Sequence, residues 1–232
     1  MRKLSARQKE IRKNIDKAIY FDLEEAIKVL KKTATAKFNE SIELHINLNI
    51  DPKYANQQLR NTITLPNGTG KTIKIAVLTN EANFEEAKIN GADIVGDSEL
   101  IELISQGNID FDLLIATPES MPKLAKLGRV LGPKGLMPSP KSGTVTTRLA
   151  ETLCDFKKGK FEYKADKTGI VHITFGKANF TETEILENLI ALYNSIQQNR
   201  PSGVKGKYFK TIYICTSMGP SIQLDLDAFA FV

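Results

Sequence analysis

The residues Gly68–Thr72 end like a phosphate-binding P-loop, in which a lysine and a hydroxyl side chain hold the phosphates of a nucleotide. The full motif needs a glycine five residues before its last one, but Leu65 occupies that position. A P-loop also opens a helix, whereas residues 73–78 alternate as a strand does. We therefore interpret Gly68 and Gly70 as a hinge between domains. A nucleotide-hydrolysing enzyme that uses this lysine and threonine stays an alternative, which equilibrium dialysis with ATP would test.

The histidines and cysteines give no catalytic or metal-binding pattern. His45 and His172 are the only histidines, and neither has the serine, cysteine or carboxylate arrangement of a nucleophile and its base. Cys154 and Cys215 have no second thiol or histidine at ligand spacing, so we expect both to be reduced core residues. No G-x-G-x-x-G follows the first strand of the middle segment. We expect no cofactor, no metal and no enzymatic activity.

The segment Leu131–Lys141 holds two glycines, three prolines and two lysines in eleven positions. This composition predicts a stiff, basic, non-regular loop. Lys134 and Lys141 are its charged side chains, and a rigid basic loop can present them to phosphates at little ordering cost. The segment is either a structural turn or a surface that faces RNA or another partner.

Three pairs have the spacing of a capping box and predict helix starts: Ser5 with Gln8, Asp22 with Glu25, and Thr181 with Glu184. The third helix also carries an apolar stripe that must pack on a sheet, formed by Ile185, Leu186, Leu189, Leu192, Tyr193 and Ile196.

Residues 42–50 alternate between apolar and polar side chains, which predicts a strand with one buried and one solvated face. A hairpin is predicted later, with residues 161–165 facing residues 171–175 across the turn Asp166–Gly169. Both features are typical of an antiparallel α+β architecture.

Between Gly68 and Gly159, short apolar strands alternate with helices that are predicted to stop at Gly91, Gly107 and Gly128. This pattern predicts a small Rossmann-like parallel α/β domain. The flanking segments share the α+β pattern, so residues 1–68 and 160–232 are predicted to form one discontinuous domain, interrupted by an inserted domain at residues 69–159. Gly159 would mark the second crossing, as Gly68 and Gly70 mark the first.

Charge follows the same division. The discontinuous domain holds 21 basic and 15 acidic side chains, a balance of +6, whereas the insertion holds 11 and 12, a balance of −1. The insertion is itself polarised, because residues 121–159 hold 8 basic and 2 acidic side chains. A polyanionic partner such as RNA is therefore favoured, with the discontinuous domain as the stronger candidate.

No apolar run is long enough to span a bilayer, so no membrane partner is expected. The first fifteen residues are basic and polar, and acidic residues appear early at Glu10 and Asp16. This composition argues against secretory and transit peptides, so we expect the protein to act where it is made.

Four segments together resemble the ribosomal protein L-one family, which forms the mobile stalk beside the tRNA exit site: Leu131–Lys141, Lys164–Gly169, Val171–His172 and Ser217–Ser221. The run Gly-Pro-Lys-Gly-Leu-Met-Pro is highly specific, and the resemblance covers essentially the full length. Residues 50–54 and 112–118 are most similar to cyanobacterial and plastid members, so a plastid-encoded or bacterial source is expected.

The resemblance implies that the discontinuous domain binds large-subunit rRNA. The matching positions are Lys37, Phe38, Glu40, Asp166, Lys167, Thr168, Gly169, His172, Ser217, Met218 and Gly219. Both lysines would meet phosphates, and Phe38 and Met218 would offer apolar surface to sugars and bases. Glu40 and the two hydroxyl side chains would bond to 2′-hydroxyls or base edges, and Gly219 would let the RNA backbone approach. Taken alone, Phe38 and Met218 would be expected in the core.

The resemblance further implies a structural constituent of the large ribosomal subunit that assists release of deacylated tRNA from the exit site. Other large-subunit proteins would be partners, and off the ribosome the protein would be a monomer. Some relatives also repress translation by binding their own mRNA leader. The expected location is the ribosome, in the plastid stroma or the bacterial cytoplasm. A non-ribosomal RNA or protein interaction module is the second alternative, which a ribosome pull-down would test.

Overall fold

The computed structural model describes residues 20–231, and the chain divides into two compact units. One unit, here called the split unit, contains the residues up to Gly70 and those from Tyr163 onward. The other, the inserted unit, is Lys71–Glu162. The predicted helix start at Ser5 lies outside the described residues. Within the described range, no helix has the length and apolar character needed to cross a bilayer.

The described helices are α1 (Leu23–Thr33), α2 (Phe84–Ile89), α3 (Ser98–Ser105), α4 (Met121–Ala125), α5 (Gly128–Lys134), α6 (Leu149–Lys157) and α7 (Glu182–Gln198). The strands are β1 (Ser41–Leu48), β2 (Arg60–Thr64), β3 (Ile75–Leu78), β4 (Ile94–Gly96), β5 (Leu113–Ala116), β6 (Lys160–Lys164), β7 (Ile170–Lys177), β8 (Phe209–Thr216) and β9 (Ile222–Leu224).

The split unit is built on a four-stranded antiparallel sheet in the order β7-β1-β8-β9. The alternation along β1 is confirmed, because Ile42, Leu44 and Ile46 are buried while the intervening side chains are only partly covered. One face of the sheet therefore forms the core, and the other face is accessible to solvent.

Helix α7 packs its apolar stripe in that core. Its start is the predicted capping box, in which Thr181 accepts from the Glu184 N–H and Glu184 accepts from the Thr181 N–H. The stripe also contains Asn188, which is fully buried and was not predicted as a core residue. Its side chain accepts from the Asn67 N–H at 3.1 Å and donates to the Gly68 and Phe175 carbonyls at 3.0 and 2.9 Å. Asn188 thus ties the end of the first chain segment to the core.

The predicted pairing of residues 161–165 with residues 171–175 is wrong, although the turn is correct. Strand β7 pairs with β1, and β6 instead forms a two-stranded sheet with β2. The two arms meet only around the turn, at the bridge between Ala165 and Val171 and the bond from the Asp166 N–H to the Ile170 carbonyl. Pairing with β1 is favoured because β1 is as long as β7 and the pair contributes a buried face to the core. The local hairpin would not bury that face.

The inserted unit has a parallel sheet in the order β4-β3-β5. All four residues of β3 are buried, with Ala76 and Leu78 in one apolar cluster and Ile75 and Val77 in another. Helices α3, α4 and α5 supply the first cluster, and α2 and α6 supply the second. Helices thus cover both faces of the sheet, which confirms the predicted Rossmann-like fold class.

Two local predictions in the inserted unit need correction. Gly91 and Gly107 each lie just after the end of a helix, as predicted, and both have positive φ. Gly128, in contrast, begins α5 instead of ending a helix. The segment Leu131–Lys141 is also not wholly irregular, because its first four residues complete α5 despite Pro133. Proline in the last turn removes a backbone donor there, and Gly135 in the left-handed conformation then caps the helix.

Candidate nucleic-acid interface

Two large apolar side chains of the split unit are exposed at one end of the four-stranded sheet. Phe38, which precedes β1, is 56% exposed, and Met218, which follows β8, is 53% exposed. Lys37 beside Phe38 is exposed as well. Lone apolar residues are usually buried, so an exposed pair held at one site indicates a contact surface.

Glu40 holds the two segments together. It is only 1% exposed, and its carboxylate oxygens accept hydrogen bonds from the Ala36 N–H and the Met218 N–H, both at 3.0 Å. Sequence reasoning assigned Glu40 to contact RNA directly. The structure gives it an internal role, because the carboxylate is buried and bonded to the backbone of both segments.

Ser217 reinforces this connection. Its backbone N–H donates to the Ser41 carbonyl at 3.0 Å, and its hydroxyl oxygen accepts from the Ser41 N–H at 3.1 Å. Gly219 lies in the same loop, and a Cβ on it would overlap the Thr216 Oγ1. Packing thus gives one reason for a glycine at this position, because Thr216 fills the space, and the approach of RNA to Gly219 stays a prediction. We call Lys37, Phe38, Ser217 and Met218 the apical surface.

The turn Asp166–Gly169 is ordered by its own side chains. Asp166 accepts from the backbone N–H groups of Thr168 and Ile170 at 2.9 and 2.8 Å and from the Thr168 hydroxyl at 2.7 Å. These bonds lower the pKa of Asp166, chiefly the one from Ile170. Lys167 at the tip is exposed.

Gly169 is buried, and its contact with RNA stays a prediction. Its φ is +82°, and a Cβ would lie 2.9 Å from the Ile50 carbonyl oxygen. The glycine is thus required by the packing of the turn against the chain beyond β1.

The predicted RNA-binding residues fall into two groups. The apical surface lies at the Ser41 end of β1, whereas the Gly169 carbonyl accepts from the Leu48 N–H at the other end. Seven residue steps of a strand separate these ends by about 23 Å. His172 lies between them, paired with His45 across β1 and β7.

His172 is part of a cluster on the solvent-facing side of the sheet. Its Nδ1 lies 2.8 Å from the His45 Nδ1, and the His45 Nε2 lies 3.3 Å from the Cys215 Sγ. Burial lowers the pKa of His45, with His172 as a second cause, and burial raises the pKa of Cys215 to about 11. The prediction of two core cysteines is wrong, because Cys154 is exposed and Cys215 is half-buried. Linear spacing missed the cluster because its members come from three strands.

The predicted hinge glycines all have positive φ. Gly68 and Gly70 are nevertheless held within the split unit, since Asn188 donates to the Gly68 carbonyl and Lys177 leaves no room for a Cβ on Gly70. Gly159 follows α6 and donates to the Phe156 carbonyl, as a residue after a helix end does. Their hinge role stays a prediction.

Lys134 and Lys141 in the inserted unit are exposed. Lys134 ends α5, and Lys141 lies in the short helical turn Pro140–Ser142. That turn is braced by hydroxyl contacts, including the Ser139 N–H to the Thr144 Oγ1 at 2.8 Å. Both lysines thus project from an ordered backbone.

The fold is therefore that of a protein with a split α+β unit and an inserted parallel α/β unit, carrying an exposed apolar and basic surface on the split unit. Residues 30–220 match the family described as "Ribosomal protein L1p/L10e family". The chain belongs to this family.

Named relatives are similar over nearly the whole chain. The "Large ribosomal subunit protein uL1c" of Trieres chinensis is 72% identical over 99% of this chain and 100% of the relative, and that of Phaeodactylum tricornutum is 70% identical over the same shares. The "Large ribosomal subunit protein uL1" of Prochlorococcus marinus strain MIT 9515 is 57% identical over 98% of this chain and 97% of the relative. These are names of ribosomal proteins and not of enzymes, which removes the nucleotide-hydrolysing alternative.

Proposed function

We propose that this protein is a constituent of the large ribosomal subunit that binds large-subunit rRNA through the apical surface. The observation that carries the proposal is that Phe38 and Met218 are both exposed at the same end of the sheet. The buried carboxylate of Glu40 bonds to the backbone of both segments and so holds them together. Family membership supplies the class of RNA.

The apical surface suits RNA because it is apolar, hydroxylated and basic within a small area. Phe38 can stack on a base or pack on a ribose, and Met218 adds a polarisable apolar contact. Lys37 is placed to meet a phosphate. The hydrogen bonds of Glu40 and Ser217 fix the backbone before RNA arrives, so little conformational entropy is lost on binding.

The turn Asp166–Gly169 would form a second contact about 23 Å away along β1. The side chains of Asp166, Lys167 and Thr168 are exposed in this turn, and Lys167 would meet phosphate. An RNA that touches both places must span this distance, and a folded RNA does so with a smaller loss of conformational entropy than a flexible single strand. This requirement favours a structured rRNA element as the ligand.

The inserted unit would serve the exit-site tRNA. Its half from residue 121 to 159 carries the excess of basic side chains, and Lys134 and Lys141 are exposed on ordered backbone. We propose that this half faces deacylated tRNA as it leaves the ribosome. An mRNA leader that reproduces the rRNA element would compete for the apical surface, which is how the protein would repress its own translation.

The named relatives also support a location on the ribosome of a plastid or of a bacterium. Other large-subunit proteins would then be neighbours. The two compartments are not distinguished by the apical surface, which would act in the same way in both.

A filter-binding titration of full-length protein against a large-subunit rRNA stalk fragment tests the RNA proposal. Phe38→Ala and Met218→Ala should each weaken binding at least tenfold while thermal stability is nearly unchanged, because exposed contacts contribute little to folding. Tyr54→Ala is the matched control, since Tyr54 is another exposed aromatic residue of the split unit, at 61%. Equal affinity of the Phe38, Met218 and Tyr54 variants would overturn the proposed surface.

A further inference from the structure

The solvent-facing side of the four-stranded sheet brings together side chains that are distant in sequence. Glu43 and His45 are two residues apart on β1 and therefore point to the same face. Cys215 on β8 is the cross-strand partner of Glu43, and His172 on β7 is the partner of His45. The antiparallel register thus places a carboxylate, two imidazoles and a thiol side by side.

Three of these groups direct ligand atoms toward one point. The His45 Nε2 lies 3.3 Å from the Cys215 Sγ and 3.6 Å from the Glu43 Oε2, and the three ligand atoms all lie within 4.8 Å of one another. A tetrahedral zinc centre with ordinary bond lengths separates its nitrogen, oxygen and sulfur ligands by about 3.4–3.6 Å. The two distances from the His45 Nε2, 3.3 and 3.6 Å, are close to this geometry.

We propose that Glu43, His45 and Cys215 form a binding site for a zinc-class divalent transition-metal ion on the solvent-facing side of the sheet. Imidazole and thiolate together favour such an ion over Mg²⁺ or Ca²⁺, which prefer all-oxygen sites. Three protein ligands leave the fourth tetrahedral position to water. On binding, the thiol releases its proton to solvent and the thiolate coordinates the ion.

His172 positions the histidine ligand, and Asp166 lies near the far ring nitrogen of His172. When the His45 Nε2 binds the ion, the ring proton must be on Nδ1, which lies 2.8 Å from the His172 Nδ1 and donates to it. The proton of His172 is then on Nε2, 3.9 Å from the Asp166 Oδ2, where the carboxylate favours it. Metal ligands of this kind regularly donate their second N–H to such a partner, which fixes the tautomer.

The alternative is a polar sheet face with no ligand, in which the Cys215 S–H donates to the His45 Nε2. The two readings differ in whether the thiol can lose its proton to a metal at neutral pH. They can be separated with Co²⁺, which takes zinc sites and shows a thiolate-to-metal absorption band when sulfur coordinates it.

The experiment uses the full chain, reduced and free of any polyhistidine tag, titrated with Co²⁺ and with Zn²⁺. One Co²⁺ should bind per chain with a thiolate band, and Zn²⁺ should displace it. Cys215→Ser should abolish the band. The matched control is Cys154→Ser, since Cys154 is the other free cysteine and lies in the inserted unit. The absence of a band in the unaltered protein, its persistence in Cys215→Ser or its loss in Cys154→Ser would each overturn the proposal.

Two further variants test the same site independently, in case Cys215→Ser does not fold. Glu43→Gln and His45→Gln keep side-chain size, and each should weaken Zn²⁺ binding at least tenfold when measured by calorimetry. Circular dichroism without metal should be the same for every variant. Zn²⁺ binding of equal strength in both glutamine variants and the unaltered chain would mean adventitious binding elsewhere. No RNA is present, so this result is independent of the proposed rRNA interface.

Discussion

The carboxylate of Glu40 accepts a hydrogen bond from the backbone N–H of Met218 at 3.0 Å, although 178 residues separate them in the sequence. A second oxygen of the same buried carboxylate accepts from the Ala36 N–H. The position of Phe38 relative to Met218 therefore depends in part on a side chain that is itself buried.

We predict that Glu40→Ala lowers the free energy of unfolding by roughly 1–3 kcal/mol, because two partly buried backbone donors lose their acceptor. It should also weaken rRNA binding at least tenfold at a temperature where the variant is fully folded. The control is Glu24→Gln, an exposed acidic residue on α1. Thermal unfolding and filter binding measure the two effects. Full RNA affinity in folded Glu40→Ala would show that the apical surface does not depend on this connection.

The close approach of Gly219 to Thr216 predicts a coupled pair. Gly219→Ala should lower stability by about 1–3 kcal/mol, because the new Cβ overlaps the Thr216 Oγ1. That hydroxyl has no hydrogen-bond partner among the described residues, so Thr216→Ala alone should be tolerated. In the Thr216→Ala background the Gly219→Ala cost should fall by at least about 1 kcal/mol.

Thr216→Val is the matched control for this cycle, because valine puts a methyl group where the hydroxyl was and keeps the overlap. Denaturant unfolding of the single and double variants measures the coupling. Additive effects in both backgrounds would show that Gly219 is needed for another reason, such as RNA approach.

Asn188 should be among the most sensitive positions of the split unit. Asn188→Ala removes three hydrogen bonds to the Asn67 N–H and the Gly68 and Phe175 carbonyls, and we expect a loss of about 2–4 kcal/mol. Gln197→Ala on the exposed side of α7 serves as control. A loss below about 1 kcal/mol would mean that water replaces these bonds at no cost.

The sequence was sufficient for elements whose signal is local. The alternation of β1, the capping box of Thr181 with Glu184 and the β-α alternation of the inserted unit each follow from adjacent residues, and all three are confirmed. The partner of β7 was mispredicted because a turn sequence indicates that the chain reverses direction, but it does not indicate which strand will form hydrogen bonds with β7.

The roles of individual site residues were less accessible. Glu40 and Gly219 were assigned to RNA because they match positions of the family, whereas the burial of Glu40 and the contacts of both residues with Met218 and Thr216 depend on tertiary packing. The cluster around His45 was invisible for the same reason, since its members are brought together only by the register of three strands.

Salt dependence should identify the phosphate contacts. Lys37→Ala and Lys167→Ala should each flatten the plot of log affinity against log salt by somewhat under one unit, as the loss of one phosphate contact requires. Lys28→Ala, on an exposed position of α1, should leave the slope unchanged. The measurement is a series of filter-binding titrations at several salt concentrations, and an unchanged slope for both test variants would remove these lysines from the interface.

A deletion variant tests the division of labour between the units. It joins Gly70 to Lys160 through a short Gly/Ser linker, which keeps the contacts of Gly70 with Lys177 and leaves β6 able to pair with β2. The split unit has its own sheet and buried stripe, and closing a flexible loop of this kind has a modest entropic cost. We therefore expect a cooperative unfolding transition.

The variant should bind the rRNA fragment within a hundredfold of the full-length affinity, because the apical surface and the turn Asp166–Gly169 both lie in the retained unit. Ribosomes that carry it should assemble but release deacylated tRNA slowly, since residues 121–159 with Lys134 and Lys141 are gone. The control is the full chain with Lys134 and Lys141 both changed to Ala, which should keep rRNA affinity and share the tRNA defect. A loss of rRNA affinity above a hundredfold, about 2.7 kcal/mol, in a folded deletion variant would show that the inserted unit itself recognises rRNA.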